Sequence, residues 1–154
     1  MSRTPALLLS RAGPGARRTW LSIRVDLIAG HGEALWPRPG RVFAASRSHT
    51  FAQLATAIDD AFARWDRSHL HEFTRADGYR LGILSDEDYD PEHLLDYRRV
   101  TLGRLSPGEQ FAYVFDFGDQ WEHLCTVGPR RIDVRVGRAS CSGDRIATSR
   151  AVGQ

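Results

Sequence analysis

Two histidines stand two residues apart in the segment His69-Leu-His-Glu-Phe73. If this segment is a β-strand, the His69 and His71 side chains lie on the same face, because side chains alternate along a strand. Two neutral imidazoles on one face can bind a single metal ion. The simpler interpretation is that both rings make structural hydrogen bonds at a sheet edge, as most polar groups in proteins do. The pair therefore indicates either metal ligands or two structural histidines.

A second polar segment, Asp116-Phe-Gly-Asp-Gln-Trp-Glu-His123, joins carboxylates, an indole and an imidazole. A two-residue turn at Gly118-Asp119, with glycine first, would place Asp116 opposite Trp121. Asp116, Trp121 and His123 would then share one face of a hairpin, where Asp116 could accept from the indole or orient the imidazole. A three-residue loop would reverse the alternation and scatter these groups.

We predict a binding site on this sheet face, without a cofactor, formed by His71, Asp116, Trp121 and His123. The alternative is a metal-dependent hydrolytic enzyme in which Asp116 and His123 act as the catalytic general-base group. Its divalent metal ion would be held by His69, His71, Asp116, Asp119 and His123. Aspartate is also a favoured turn residue, so a purely structural role for the carboxylates is a third interpretation.

The sequence lacks the intact motifs of several enzyme classes. Asp86, Asp88 and Asp90 occupy the first three ligand positions of a calcium loop. Pro91 then stands where that loop requires glycine and Tyr97 where it requires glutamate, which breaks the motif. The sequence has no glycine-rich phosphate loop, no G-x-S-x-G elbow and no H-E-x-x-H segment. It therefore gives no support for a P-loop nucleotide enzyme, a serine esterase or a zinc protease.

The 21 basic residues are all arginine and give a net charge of +2 against 19 acidic residues. This charge is unevenly distributed, because residues 1–19 and 129–154 are basic whereas residues 20–128 carry an excess of acidic side chains. An acidic central region is unsuited to neutralising phosphates. If a nucleic acid is a partner, we therefore expect the two arginine-rich ends to bind it.

Cysteine usage and hydropathy favour a cytoplasmic protein. Cys125 and Cys141 form neither a disulfide framework nor a paired metal-ligand motif, so we expect reduced thiols. The apolar run at residues 6–9 is shorter than the central part of a signal peptide. No stretch approaches the roughly 18–20 apolar residues of a spanning helix. We expect neither export nor membrane insertion.

Strands and one helix must position these side chains. From Trp20 onward apolar and polar residues alternate as in a strand with one buried face, and residues 41–45 form a short second strand. Thr50 and Gln53 form a capping-box pattern ahead of apolar residues at helical spacing. This pattern predicts an amphipathic helix over about residues 50–65.

The later apolar segments indicate two antiparallel strand pairs. Residues 69–74 and 79–84 flank an Asp-Gly turn, and residues 110–117 and 121–127 form the second pair. An acidic loop at residues 85–92 follows the first pair, and helical turns are predicted near residues 94–97 and 102–105.

These elements predict an α+β fold, an antiparallel or mixed sheet packed on one main amphipathic helix, with a β-grasp-like topology. Residues 19–128 would form this single domain. Residues 1–18 lack a periodic apolar pattern and are expected to be a disordered leader. Residues 129–154 are expected to be an arginine-rich, mostly disordered tail.

Several segments together resemble a bacterial protein family. They are Leu35-Trp36-Pro-Arg38, His49-Thr-Phe-Ala-Gln-Leu54 with Ile58, and the two polar segments described above. They occur in the family's order between about residues 20 and 127. The family is the plasmid open-reading-frame-three-like family, whose members are also described as TnpR-like passenger proteins of an insertion element. The resemblance implies an α+β domain without established activity, carried by plasmids or transposons.

The chain departs from the family pattern in two places. Pro37 interrupts the usual Trp-Arg pair, and the tail offers only Cys141-Ser-Gly-Asp144 where the family continues into a Pro-Asp-Gly-Gly-rich segment. The second departure suggests a truncated or frameshifted C-terminus. The sequence also lacks the segments typical of serine and tyrosine recombinases. We therefore predict an uncharacterised, mobile-element-associated accessory or binding domain without established catalysis.

Overall fold

The computed structural model describes residues 20–64, 66–84, 93–129 and 146–150. The predicted leader at residues 1–18 lies outside these residues, as do the acidic loop at 85–92 and most of the predicted tail. The aspartates of the broken calcium motif and Trp65 are likewise outside the described part of the chain.

One mixed sheet of nine strands dominates the described residues. In chain order the strands are β1 (Trp20–Gly30), β2 (Glu33–Ala34), β3 (Gly40–Ser46), β4 (His71–Arg75), β5 (Arg80–Gly82), β6 (Leu94–Asp96), β7 (Gln110–Phe115), β8 (Trp121–Val127) and β9 (Ala147–Arg150). Their order across the sheet is β6-β5-β4-β7-β8-β1-β3-β9, and β2 pairs with the end of β1. Strands β5 and β6 run parallel, whereas the other pairs are antiparallel.

The alternating pattern at the start of the chain confirms the predicted first strand. Leu21, Ile23 and Val25 are buried on one face of β1, and the residues between them are at least partly exposed. β1 lies between β3 and β8, so both of its edges are paired. The pairing with β8 shifts register between Leu27 and Ala29, which bends the strand near its end.

The predicted helix is present as α1, Phe51–Ala61. The Thr50 hydroxyl accepts from the Gln53 backbone N–H, and the Gln53 side chain accepts from the Thr50 backbone N–H, which confirms the capping box. Phe51 packs edge-to-face against Phe73 of β4 and Phe111 of β7. The apolar face of α1 therefore covers one face of the sheet at its middle strands.

The predicted fold class, an α+β domain built on one main helix with a β-grasp-like topology, is wrong. The described residues form a sheet of nine strands, whereas α1 has 11 residues. Residues 94–96, predicted as a helical turn, pair with β5 as strand β6. Residues 147–150, in the segment predicted as a tail, pair with β3 as strand β9. Strands this short contain too few residues for alternation to distinguish them from turns.

The other predicted helical turn is a single 3₁₀ turn at Leu102–Arg104. No helix in the described part of the chain has the length and apolar character needed to cross a bilayer.

Candidate functional site

The turn between β7 and β8 sets which side chains share a face. Tyr113 pairs with His123 and Phe115 pairs with Trp121 across the two strands. The predicted two-residue turn at Gly118-Asp119 is therefore wrong, because residues 116–120 all lie between the strands. His123 and Trp121 consequently lie on the same face of the hairpin as Tyr113 and Phe115.

Backbone conformation explains the longer turn. Asp116 and Gln120 both have positive φ angles, 61° and 51°, and the Gln120 N–H donates to the Asp116 carbonyl at 2.6 Å. The Asp116 carboxylate also accepts from the Gly118 N–H at 3.0 Å. Aspartate tolerates the left-handed region and bonds its own turn, so this residue closes the loop locally.

His123 is buried beneath the sheet surface and both ring nitrogens are engaged. Nδ1 lies 3.0 Å from the Tyr113 carbonyl, and Nε2 lies 3.2 Å from an Arg64 guanidinium nitrogen. Burial, with a smaller effect of the nearby Arg64 charge, lowers the pKa of His123 to about 4. The ring is therefore neutral at pH 7, with Nδ1 donating to the carbonyl and Nε2 accepting from Arg64.

Arg64 lies among three aromatic rings in the lining of the cleft, and no motif in the sequence distinguishes it. Its guanidinium carbon stands 5.5 Å from the ring centres of Phe62, Phe115 and Trp121. One terminal nitrogen donates to the Phe62 carbonyl at 3.1 Å. Among the described residues no carboxylate lies within ion-pair distance of this half-buried cation. Burial lowers the pKa of Arg64, although arginine stays charged in proteins.

The end of α1 places Arg64 in this position. Ala63 has a φ of 56°, and the N–H groups of Ala63 and Arg64 donate to the carbonyls of Asp60 and Asp59 at 3.2 and 2.8 Å. This is the Schellman pattern, in which a left-handed residue reverses the chain and satisfies the last helical carbonyls. Glycine normally occupies the reversing position, so alanine gave no signal for the helix end. The predicted end near residue 65 is therefore too late.

A cleft of about 640 Å³ opens in front of Arg64. It lies beside the end of α1, between the ends of the central strands. Apolar and aromatic side chains form most of its wall: Leu27, Pro39, Ala61, Phe62, Ala63, Phe115 and Trp121. Arg41 is the second cation of the cleft, and its guanidinium carbon lies 5.5 Å from the Phe62 ring centre.

The lining of the cleft also includes carboxylates that are paired with histidines. His69 contacts Asp116 and Asp66 through its two ring nitrogens, each at 3.3 Å. His31 contacts Asp119 at 3.3 Å and packs edge-to-face on Trp121 at 4.8 Å. These pairs connect the turn at residues 116–120 to the segments on either side.

Trp121 is fixed between neighbours on both sides. A side-chain carbon added at Gly30 would overlap the six-membered ring of Trp121, so only glycine permits this close approach of the backbone. The Arg64 guanidinium lies near the ring as well. The indole therefore acts as a rigid wall of the cleft.

Behind the cleft, α1 and β7 are joined by a buried polar contact. The Tyr113 hydroxyl donates to the Asp59 carboxyl at 2.9 Å, and both groups are shielded from solvent. Burial raises the pKa of Asp59. Asp59 thus takes its hydrogen bond from tyrosine and leaves the Arg64 guanidinium without a direct carboxylate partner.

The structure separates the four residues of the predicted binding site. Asp116 and Trp121 line the cleft, and His123 supports it from behind through Arg64. His71 is directed elsewhere, because its Nε2 lies 3.0 Å from the Tyr97 hydroxyl. His69 precedes β4, which begins at His71, and both imidazole rings lie against the Phe115 ring, with centroid distances of 5.9 and 6.4 Å.

The five residues of the metal alternative are likewise distributed over separate contacts. His69 meets Asp116, whereas Asp119 meets His31 and His123 meets Arg64. Within the described ranges no group of three or more histidine, cysteine, aspartate or glutamate side chains has an arrangement that could hold a metal ion.

Comparison with known proteins identifies the family. Residues 21–145 match the family described as plasmid pRiA4b ORF-3-like protein. The chain belongs to this family. The family predicted from the motifs is thereby confirmed, while the description of a TnpR-like insertion-element passenger is not part of this match.

Two individual proteins are similar to this family member. Uncharacterised protein y4hQ of Sinorhizobium fredii (strain NBRC 101917 / NGR234) is 35% identical over 86 residues, which cover 53% of this chain and 39% of that protein. The chain therefore spans well under half of that relative's length. The crystal structure of a protein of unknown function, MM3350, from Methanosarcina mazei Go1 has a TM-score of 0.58 at 22% identity. The match covers 75% of this chain and 64% of the MM3350 chain, and it shows that the two proteins share a fold.

Proposed function

We propose that this plasmid pRiA4b ORF-3-like protein is a noncatalytic binding domain whose cleft takes up an anionic group at Arg64. The observation that carries the proposal is the state of the Arg64 guanidinium. It is half-buried, surrounded by three aromatic rings and oriented by neutral His123, yet it has no carboxylate partner among the described residues. A buried charge is costly unless it is paired, and a ligand anion would supply the missing partner.

The hydrogen-bonding capacity of Arg64 supports this proposal. Arginine has five N–H donors, and the described contacts use one toward Phe62 and one toward His123. Donors therefore remain for a ligand, in a fixed orientation that requires little ordering on binding. Charge-assisted hydrogen bonds in such a shielded position are stronger than those between neutral groups.

We favour binding over catalysis because the candidate acid–base groups are already engaged. Both nitrogens of His123 have partners in the interior, and His69 lies between two carboxylates. A general base must reach the proton that it removes, and His123 points its accepting nitrogen at Arg64. The enzyme alternative would need these contacts to break.

The test is a titration of the purified protein with acetate at constant ionic strength, followed by isothermal calorimetry and by the thermal midpoint. We expect saturable binding that is lost in Arg64→Gln. Arg98→Gln is the matched control, because Arg98 pairs with Asp96 on edge strand β6. Equal acetate binding by the wild type and Arg64→Gln would refute the proposed site.

The mobile-element association and the cytoplasmic location belong to the same proposal. The association is supported by the family's description as a plasmid reading frame. The location is supported by Cys125, which is a buried free thiol, since disulfides are rare in the cytoplasm. Both can be examined together by locating the tagged protein in fractionated cells and by mapping the neighbouring genes.

A further inference from the structure

We infer that the ligand of the cleft is a monocarboxylate with an apolar body, rather than a phosphate ester or a small inorganic anion. This inference rests on the proposed function and specifies the chemical class of the anion. Three properties of the cleft support it: the shape of the cation, the apolar wall and the charges on the rim.

The cation is suited to a planar anion. Phe62, Phe115 and Trp121 stand at equal distances of 5.5 Å around the Arg64 guanidinium carbon. Arg64 lines the cleft, and it has N–H donors beyond the two that contact Phe62 and His123. A carboxylate offers two oxygens in one plane, which match two parallel N–H groups of a guanidinium.

The apolar wall calls for an apolar body on the ligand. Leu27, Pro39, Ala61 and Ala63 line the cleft and offer no side-chain hydrogen-bonding group. A volume of about 640 Å³ falls within the range of small-molecule sites and far exceeds the size of acetate or a single ion. A ligand that filled this wall with hydrocarbon would gain affinity from each buried methylene group.

The rim discriminates against higher negative charge. Asp66, Asp116 and Asp119 line the cleft together with its two arginines. These carboxylates repel a dianion more strongly than a monoanion. A phosphate monoester is close to dianionic at about pH 7.5, whereas a carboxylate carries a single charge. The rim therefore favours the carboxylate.

The experiment compares three ligands at pH 7.5 and constant ionic strength by isothermal calorimetry: hexanoate, hexyl phosphate and acetate. We expect hexanoate to bind about tenfold more tightly than acetate, because part of its chain is buried. We expect hexyl phosphate, which has the same chain length, to bind several-fold more weakly than hexanoate. Saturable binding of all three ligands should be lost in Arg64→Gln.

A rim variant separates charge from shape. Asp66→Asn removes one rim charge at a partly exposed residue, so the fold should be retained, as circular dichroism can verify. We expect this variant to narrow the affinity ratio between hexanoate and hexyl phosphate. An unchanged ratio overturns the role of the rim.

The outcomes distinguish this inference from the proposed function. If hexyl phosphate binds as tightly as hexanoate, the carboxylate preference is wrong while anion binding at Arg64 stands. If acetate binds as tightly as hexanoate, the inferred apolar body of the ligand is wrong, while anion binding at Arg64 again stands. If none of the three ligands shows saturable, Arg64-dependent binding, both proposals fail.

Discussion

At the scale of single residues, His123 illustrates how strand pairing decides chemistry. On the face predicted for it, the imidazole would meet Asp116 and be a candidate base or metal ligand. Paired with Tyr113, it is buried and holds Arg64 in place through its unprotonated nitrogen. The same side chain therefore changes from a candidate reactive group to a positioning residue.

We predict that His123 makes stability fall in mild acid. Its pKa is about 4 in the folded protein, below the ordinary value near 6.5, because burial disfavours the charged ring. Between these values the unfolded chain binds a proton that the folded chain does not, so lowering the pH favours unfolding. The full effect is on the order of 3 kcal/mol, present above pH 6.5 and lost toward pH 4.

Urea unfolding of the wild type and His123→Gln at a series of pH values measures this effect. Glutamine can donate to the Tyr113 carbonyl and accept from Arg64 but does not titrate. The wild-type free energy of unfolding should therefore fall more steeply below pH 6.5 than that of the variant. Parallel curves would show that His123 is not the titrating group.

At the scale of elements, the end of α1 determines where Arg64 lies. Helix propensity and the apolar period extend the predicted helix to about residue 65, whereas the chain reverses at Ala63. Tertiary packing compensates for the conformational cost of a left-handed alanine. With the chain reversed at Ala63, the side chains of Phe62, Ala63 and Arg64 all line the cleft.

We predict that Ala63→Gly stabilises the protein by roughly 0.5–1 kcal/mol, because glycine adopts the left-handed conformation without a steric penalty. Ala57→Gly, in the interior of α1, is the matched control and should destabilise by about 1 kcal/mol. Equilibrium urea unfolding measures both changes. If Ala63→Gly also destabilises, the left-handed reversal at the helix end is not the source of strain.

At the scale of the whole molecule, the two ends of the sheet are closed by strands that the sequence did not reveal. β9 covers the edge of β3 through four residue pairs, and β6 lies at the far edge beside β5. Unpaired sheet edges invite association with other chains, so an added short strand protects the edge that it covers. The segment that contains β9 thus contributes to the sheet.

We predict unequal effects of two terminal deletions. Removing residues 146–154 uncovers β3, and the thermal midpoint should fall by at least roughly 2–4 °C, as expected for the loss of about 1 kcal/mol in a domain of this size. Removing residues 1–18 should leave the midpoint unchanged, since the sequence predicts a domain that begins at residue 19. Differential scanning calorimetry of both variants tests the domain boundaries. A large destabilisation on removal of residues 1–18 would contradict the predicted start of the domain at residue 19.

The arginine-rich ends carry the remaining nucleic-acid alternative. These segments lie mostly outside the described residues, so their role stays a prediction. DNA affinity that depends on them should fall steeply with salt, because each phosphate contact releases counterions.

The sequence by itself determined the family, the first strand, the capped start of α1 and the strands of the β7–β8 hairpin. These features are local, since they follow from alternation, capping and motifs read along consecutive residues. Two residues of the polar segment at residues 116–123, Asp116 and Trp121, line the cleft, and their role as a binding site stays a prediction.

Only the tertiary structure decided the sheet-dominated fold, the turn length and the position of Arg64 among three aromatic rings. Strands of two to four residues are defined by their partners, so β6 and β9 carry too little internal pattern to be recognised. Because the turn is longer than predicted, His123 and Trp121 both lie on the opposite face of the hairpin from the one predicted for them. Arg64 is one of 21 basic residues in the sequence, and the rings of Phe62, Phe115 and Trp121 distinguish it only after residues far apart in the chain have been brought together.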